Sequence, residues 1–206
     1  MGEPIMAKMS GPNVMPDAHA AWIGRVADAW AQLEFEVDRG TWNLLRADQQ
    51  IAACVTAQIF SLPARWKAFI ALLQVRGASK ETVRGLGSFH GNTLSGLLEA
   101  RNRAVHDPRM VDRATKEVHK FETVANSKMQ FAFRPESTDE LKDTHDKIWQ
   151  AVWDFKKMRD AAIAEIEALP PESRPQLRAI TEFRRDQLVP DTEPQAPQPP
   201  PQSSRG

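Results

Sequence analysis

Two stretches of the chain carry the hydrophobic spacing of long amphipathic helices. In the first, which begins at Pro16-Asp17, the apolar positions are Trp22, Val26, Ala29, Trp30, Leu33, Val37 and Leu44. In the second, which follows Ser137-Thr138-Asp139-Glu140, they are Leu141, Ile148, Val152, Phe155, Met158, Ala162, Ile166 and Leu169, with Trp149 and Trp153 widening the stripe. Residues at this spacing lie on one face of an α-helix, so both stretches are predicted to bury one face.

Shorter helices are predicted after the first long one. One apolar segment spans residues 51–60, and another ends at Gly77 and contains Trp66, Phe69, Ile70, Leu72 and Leu73. Ser61-Leu62-Pro63 separates the two segments. A serine N-cap with proline in the first turn is typical of a helix start, so this tripeptide predicts a break followed by a new helix.

A further helical stretch opens at Ser79-Lys80-Glu81-Thr82 and leads into a central helix predicted over Asn92 to Val105. The stretch is rich in glycine: Gly85, Gly87, Gly91 and Gly96. These glycines lack the Gly-Lys-Ser/Thr ending of a phosphate-binding loop, so we interpret them as sites of close helix packing or of a local break. Pro108 ends the central helix at about Asp107, because the residue before proline is disfavoured in the α conformation.

The periodicity changes after Pro108. Apolar and polar positions alternate between Val111 and Val124 and again between Lys128 and Phe133. Ala125-Asn126-Ser127 supplies turn residues between the two stretches, and Pro135 closes the second. This pattern predicts a β-hairpin inserted between helices.

Together these elements predict a mainly α protein, an up-and-down helical bundle with a small β-hairpin insertion. We expect a disordered N-terminal segment at 1–16, the bundle at 17–169 with its hairpin near 111–134, and a candidate short helix at 170–189. Residues 190–206 are rich in proline, glutamine and serine and predict a disordered tail.

Charge and cysteine content narrow the function classes. Lys and Arg together number 27, as do Asp and Glu, so nucleic-acid binding would require a local cationic patch. The single cysteine, Cys54, lies in an apolar run and is predicted to be a buried small hydrophobe, as expected in a reducing compartment. Because the sequence shows neither a signal peptide nor an apolar run approaching the roughly 20 residues of a membrane span, we expect a cytoplasmic protein without membrane contact.

Two catalytic arrangements are disfavoured by spacing. The five histidines are scattered through the chain without an HxxxH or CxxC pair: His19, His90, His106, His119 and His145. Metal sites need several converging ligands, so we expect no metal and no cofactor. The GxSxG signature of a serine nucleophile is also missing.

An arginine followed by a histidine near a helix end is the best remaining candidate for chemistry. A guanidinium can stabilise charge on phosphoryl oxygens, and an imidazole can move the proton of a ribose 2′-hydroxyl or of a leaving oxygen. The spacing occurs three times, as Arg84 to His90, Arg101 to His106 and Arg113 to His119. Only the middle pair has an apolar helix leading into it and an asparagine, Asn102, directly after the arginine. We therefore select Arg101 and His106.

The six residues Arg101-Asn102-Arg103-Ala104-Val105-His106 resemble the motif of HEPN domains. These are all-helical bundles whose nuclease members carry Arg-x4-6-His with a polar residue, often Asn, after the Arg. The resemblance covers about residues 17–169 in architecture and implies a metal-independent endoribonuclease of the toxin or defence type that uses the 2′-hydroxyl as nucleophile. It implies that Arg101 binds the phosphate, that His106 acts as acid or base, and that Asn102 supports them.

The resemblance also implies partners. Two copies of the motif would face each other in a homodimer, RNA would be the substrate, and an antitoxin or another protein could bind the chain. No membrane partner is expected.

Other interpretations of the same residues stay open. Arg101 could instead pair with Glu34 or another carboxylate, and His106 could cap the last carbonyls of its helix, where a cation is favoured. The chain would then be a non-catalytic HEPN-like interaction module that recruits a partner through its Trp-rich faces and C-terminal tail. A structural protein of a phage or mobile element is a third hypothesis.

Overall fold

The computed structural model describes residues 14–112, 114–125 and 129–170. Within these ranges the helices are α1 (Asp17–Leu45), α2 (Gln49–Thr56), α3 (Leu62–Val75), α4 (Lys80–Phe89), α5 (Ser95–His106) and α6 (Thr138–Ala168). The strands are β1 (Arg109–Val111), β2 (Val118–Ala125) and β3 (Met129–Pro135). The prediction of a mainly helical chain is confirmed. Most of the predicted N-terminal segment, nearly all of the candidate helix at 170–189 and the Pro-rich tail lie outside the described residues.

The two long helices, α1 and α6, form the most extensive helix–helix contact. Trp22 lies against His145 and Glu36 against Arg159, so positions increase together and the helices run parallel. The predicted stripe of α1 is buried except for Trp22, which is partly exposed. No helix in the described ranges is long and apolar enough to cross a membrane.

Serine caps start three of the helices where the sequence predicts them. The hydroxyl oxygen of Ser61 accepts a hydrogen bond from the amide of Ala64 at 3.4 Å, and proline occupies the first turn of α3. Ser79 caps α4 and Ser137 caps α6 in the same way. Each cap satisfies a backbone amide that has no partner inside its helix, so it fixes where the helix begins.

Two predicted buried side chains are exposed instead. Cys54 is exposed, because the eight-residue helix α2 buries only Ala52 and Thr56 on its inner side. Trp153 is 52% exposed, although its neighbour Trp149 packs against the core as predicted. Both predictions were wrong for the same reason, since apolar character alone does not tell which side of a helix faces a neighbour.

Helices α4 and α5 are joined by a π-helical turn at His90–Leu94, in which the amide of Ser95 donates to the carbonyl of His90. The predicted local break therefore takes the form of one wide turn. Close packing is wrong for Gly87, Gly91 and Gly96, because an added Cβ would meet nothing within 4 Å there. α5 ends at His106, as the proline predicts.

The β segment is a three-stranded antiparallel sheet in the order β1-β2-β3. The predicted hairpin corresponds to β2 and β3, and β1 adds a third strand by pairing Arg109 with Lys120. The predicted continuous strand from Val111 to Val124 is wrong. Asp112 accepts hydrogen bonds from the amides at positions 114 and 115, and Lys116 has a left-handed φ of 63°, so the chain turns before β2 begins.

Candidate functional site

The three predicted site residues lie in the last two turns of α5. Ala104, which is only 4% exposed, anchors this end of the helix in the core. His106 and Asn102 are exposed, whereas Arg101 is half-buried. Asp107 has an extended backbone with ψ of 133°, so His106 is the last helical residue.

A network of hydrogen bonds brings the three side chains together. The Nη1 atom of Arg101 donates to Asn102 Oδ1 at 3.0 Å and lies 3.3 Å from His106 Nε2. A guanidinium has donors and no acceptor, so this contact is a hydrogen bond when Nε2 is the acceptor. In that arrangement the lone pair of Nε2 is directed at Arg101.

The alternative ion pair between Arg101 and Glu34 does not form. Glu34 accepts a hydrogen bond from the indole of Trp30 at 3.0 Å. Among the described residues Arg101 forms no salt bridge, and its Nε atom is buried without a hydrogen-bond partner. The positive charge of Arg101 is therefore not neutralised by a carboxylate within the described part of the chain.

The capping role considered for His106 is not seen either. Its ring contacts Arg101 rather than a backbone carbonyl, and the Arg103 carbonyl at the helix end accepts from the amide of Asp107 at 3.2 Å. The imidazole therefore lies at the surface beside a cation.

The two competing arginine–histidine pairs are arranged differently. His90 packs against the ring of Trp66, with centroids 5.5 Å apart, and burial lowers the pKa of His90 below its usual value. Arg84 is exposed and forms no hydrogen bond with His90. Arg113 lies outside the described residues, and His119 lies in β2. Within the described ranges only the pair selected from sequence is in contact.

Neighbouring cations are mostly neutralised. A groove of about 200 Å³ runs between α5, the sheet and α6, on the side of α5 that carries Arg103. In it Arg103 pairs with Glu99 at 2.9 Å, and Arg134 forms two hydrogen bonds with Glu140 at 2.9 and 3.0 Å. This groove offers less uncompensated charge than the surface at Arg101.

Nothing in the described ranges has the composition of a metal centre. No group of three His, Cys, Asp or Glu side chains lies close enough together to hold an ion.

One feature near the site was missed from sequence. Arg109 and Glu136 form a buried ion pair directly behind the end of α5. They are 27 positions apart, and only the sheet register brings them together. The sole sequence signal was a charged residue placed just after each of two prolines, Pro108 and Pro135.

Comparison of the chain with models of known families, with curated proteins and with solved structures finds no match. The resemblance of residues 101–106 to the HEPN motif therefore stays a prediction.

Proposed function

We propose that the chain is a metal-independent endoribonuclease with a HEPN-type bundle. The observation that carries this proposal is the exposed contact between Arg101 and His106, which forms beside Asn102 and without a carboxylate of the described residues on Arg101. A cation held against an imidazole at the surface is suited to an anionic substrate.

The proposed reaction is an internal phosphoryl transfer. His106 Nε2 takes the proton from a ribose 2′-hydroxyl, the 2′-oxygen attacks the adjacent phosphorus, and the bond from phosphorus to the 5′-oxygen breaks. The proton is then delivered to that leaving oxygen. The products end in a 2′,3′-cyclic phosphate and a 5′-hydroxyl, and no water is consumed.

Phosphate binding also frees the imidazole. Nε2 has one lone pair, so it can take the 2′-hydroxyl proton only after Arg101 has stopped donating to it. The phosphoryl oxygens of a bound substrate give the guanidinium other acceptors, and negative charge grows on these oxygens in the transition state. Asn102 holds the guanidinium through its side-chain oxygen, so the arginine stays near the reacting phosphate.

A dimer would complete the site. One copy carries one imidazole in this arrangement, whereas the reaction needs both a base and an acid. We propose that two protomers bring their His106 side chains to one groove, with RNA between them. A toxin or defence role, with an antitoxin as a protein partner, follows from the same proposal.

The test is cleavage of assorted RNAs in EDTA, with analysis of the product ends. His106→Ala should lower the cleavage rate by about 10²–10⁴-fold, the usual contribution of a general acid or base. His119→Ala and Arg84→Ala are matched controls, because they remove the same residue types from the competing pairs. Chelation-resistant cleavage that His106→Ala leaves untouched would refute the assignment.

A second candidate function has one observation in its favour. Six large apolar side chains are exposed on the described surface after residue 20: Phe35, Ile51, Val55, Phe60, Val75 and Trp153. Phe60 is 90% exposed. Such side chains suit a non-catalytic interaction module. In that case RNA would stay intact, and Phe60→Ser would abolish binding of a partner protein while His106→Ala would not.

A further inference from the structure

The chain directly after His106 is held by a buried ion pair. Arg109 Nη2 donates to Glu136 Oε1 at 3.0 Å, and Arg109 Nε donates to the other carboxylate oxygen. The two side chains are only 3% and 2% exposed. A bidentate arginine–carboxylate pair fixes the orientation of both planar groups as well as their distance.

Arg109 also acts on the peptide groups that follow His106. Its Nη1 atom donates to the carbonyl of Asp107 at 3.0 Å, and the amide of Asp107 donates to the Arg103 carbonyl at 3.2 Å. The next carbonyl, that of Pro108, accepts from the amide of Phe121 in β2 at 2.8 Å. The backbone leaving His106 is thus bonded at successive positions and has little freedom to rotate.

Glu136 is fixed in turn by β2 and α1. Its amide donates to the carbonyl of Val118 at 2.9 Å, and its own carbonyl lies 2.9 Å from the Nε2 atom of His19 in α1. Lys120 of β2 places its ammonium 3.5 Å from the carboxylate. The sheet and α1 therefore meet the end of α5 at this single residue, the sheet through its backbone and carboxylate and α1 through its backbone carbonyl.

A buried ion pair of this kind fixes the positions of the residues it joins more than it raises the free energy of unfolding. Burying two charges costs desolvation free energy, and apolar replacements of buried ion pairs are often as stable or more so. What the pair supplies here is a defined path for residues 107–109. Because His106 is the last residue of α5, that path sets where its ring lies relative to Arg101.

We infer that Glu136 and Arg109 are positioning residues that hold the imidazole of His106 in contact with Arg101. The effect on catalysis rests on the proposed ribonuclease function, whereas the effect on the ring does not.

The decisive variants are Glu136→Gln and Arg109→Lys in the full chain. Arg109→Lys keeps the charge but loses the bidentate geometry, so it serves if Glu136→Gln fails to fold. Glu36→Gln is the matched control, because Glu36 is also 2% exposed and paired with an arginine, Arg159, away from the sheet.

The first measurement is the set of NMR contacts between the His106 ring and the Arg101 side chain, which needs no activity. We expect Glu136→Gln and Arg109→Lys to weaken these contacts and Glu36→Gln to leave them unchanged. Contacts that are identical to wild type in both decisive variants overturn the inference. So does an equal loss in Glu36→Gln, because that would mean general loosening.

The second measurement is RNA cleavage below the unfolding temperature of every variant. Glu136→Gln should lower kcat at least tenfold with KM within about twofold, and Glu36→Gln should leave kcat within about twofold. If wild type cleaves no RNA, the proposed function fails while the NMR result still decides the positioning role. If wild type cleaves RNA and both variants keep full kcat, the positioning role fails alone.

Discussion

Gly40, in the C-terminal part of α1, lies against side chains of α3 and α6. A Cβ atom at this position would be 2.8 Å from Phe69 Cε2 and 3.0 Å from Arg159 Cδ. Neither neighbour can move freely. Phe69 is fully buried and packs edge to face with Phe155, with ring centroids 5.6 Å apart. Arg159 is held by a salt bridge with Glu36. Gly40→Ala should therefore strain the core instead of filling a gap.

The expected magnitude combines two opposing effects. Adding a methyl group to a packed core costs about 1–3 kcal/mol, while alanine gains up to about 1 kcal/mol over glycine inside a helix. With both neighbours fixed, we expect Gly40→Ala to lose about 1–2 kcal/mol of unfolding free energy, equivalent to a Tm decrease of roughly 2–8 °C.

Gly24 provides a control in the same helix, since an added Cβ there meets nothing within 4 Å. Gly24→Ala should be stabilised by about 0.5–1 kcal/mol through helix propensity alone. Urea unfolding followed by circular dichroism measures both variants. The reasoning is refuted if Gly40→Ala is as stable as Gly24→Ala.

Three further predictions concern the acid response, the core and the thiol. The Thr82 hydroxyl lowers the pKa of Glu165 below its usual 4.5, so the stability this carboxylate supplies is complete above that pH and is lost as pH falls towards the lower folded-state pKa. The unfolding free-energy difference between wild type and Glu165→Gln should thus shrink from about pH 6 to about pH 3, and a constant difference would contradict this. Phe155→Ala should lose about 3–5 kcal/mol in urea unfolding and Trp153→Ala less than about 1 kcal/mol, and equal losses would contradict the assigned burial. Cys54 should react with a thiol reagent in the native protein, and a thiol that reacts only after denaturation would show that it is buried.

Helix positions were predictable because their signals are local. The stripe of α1 and the caps at Ser61, Ser79 and Ser137 depend on residues a few positions apart, and the structure confirms them. The side of a helix that meets a neighbour depends on distant residues. For this reason the exposure of Cys54 could not be read from its apolar run.

The candidate site was partly predictable. Pro108 marks the end of α5, so the sequence predicts His106 at a helix end. The contact between His106 and Arg101 was harder to predict, because residues five positions apart lie about 140° apart around an ideal helix and do not share a face. The Arg109–Glu136 ion pair could not be predicted from the sequence, since it follows from the register of β1 on β2 and from the turn at Asp112.

The parallel contact of α1 and α6 also constrains the order of folding. Glu36 and Arg159, which meet in the core, are 123 residues apart in the chain. While the protein is being synthesised, α1 emerges early, but α6, the helix with which it makes its most extensive contact, follows last among the described helices. A nascent chain at that stage would expose apolar surface of the kind that chaperones bind. Loss of α6 by truncation would leave α1 in that state permanently, so a shortened chain should aggregate instead of folding into a smaller bundle.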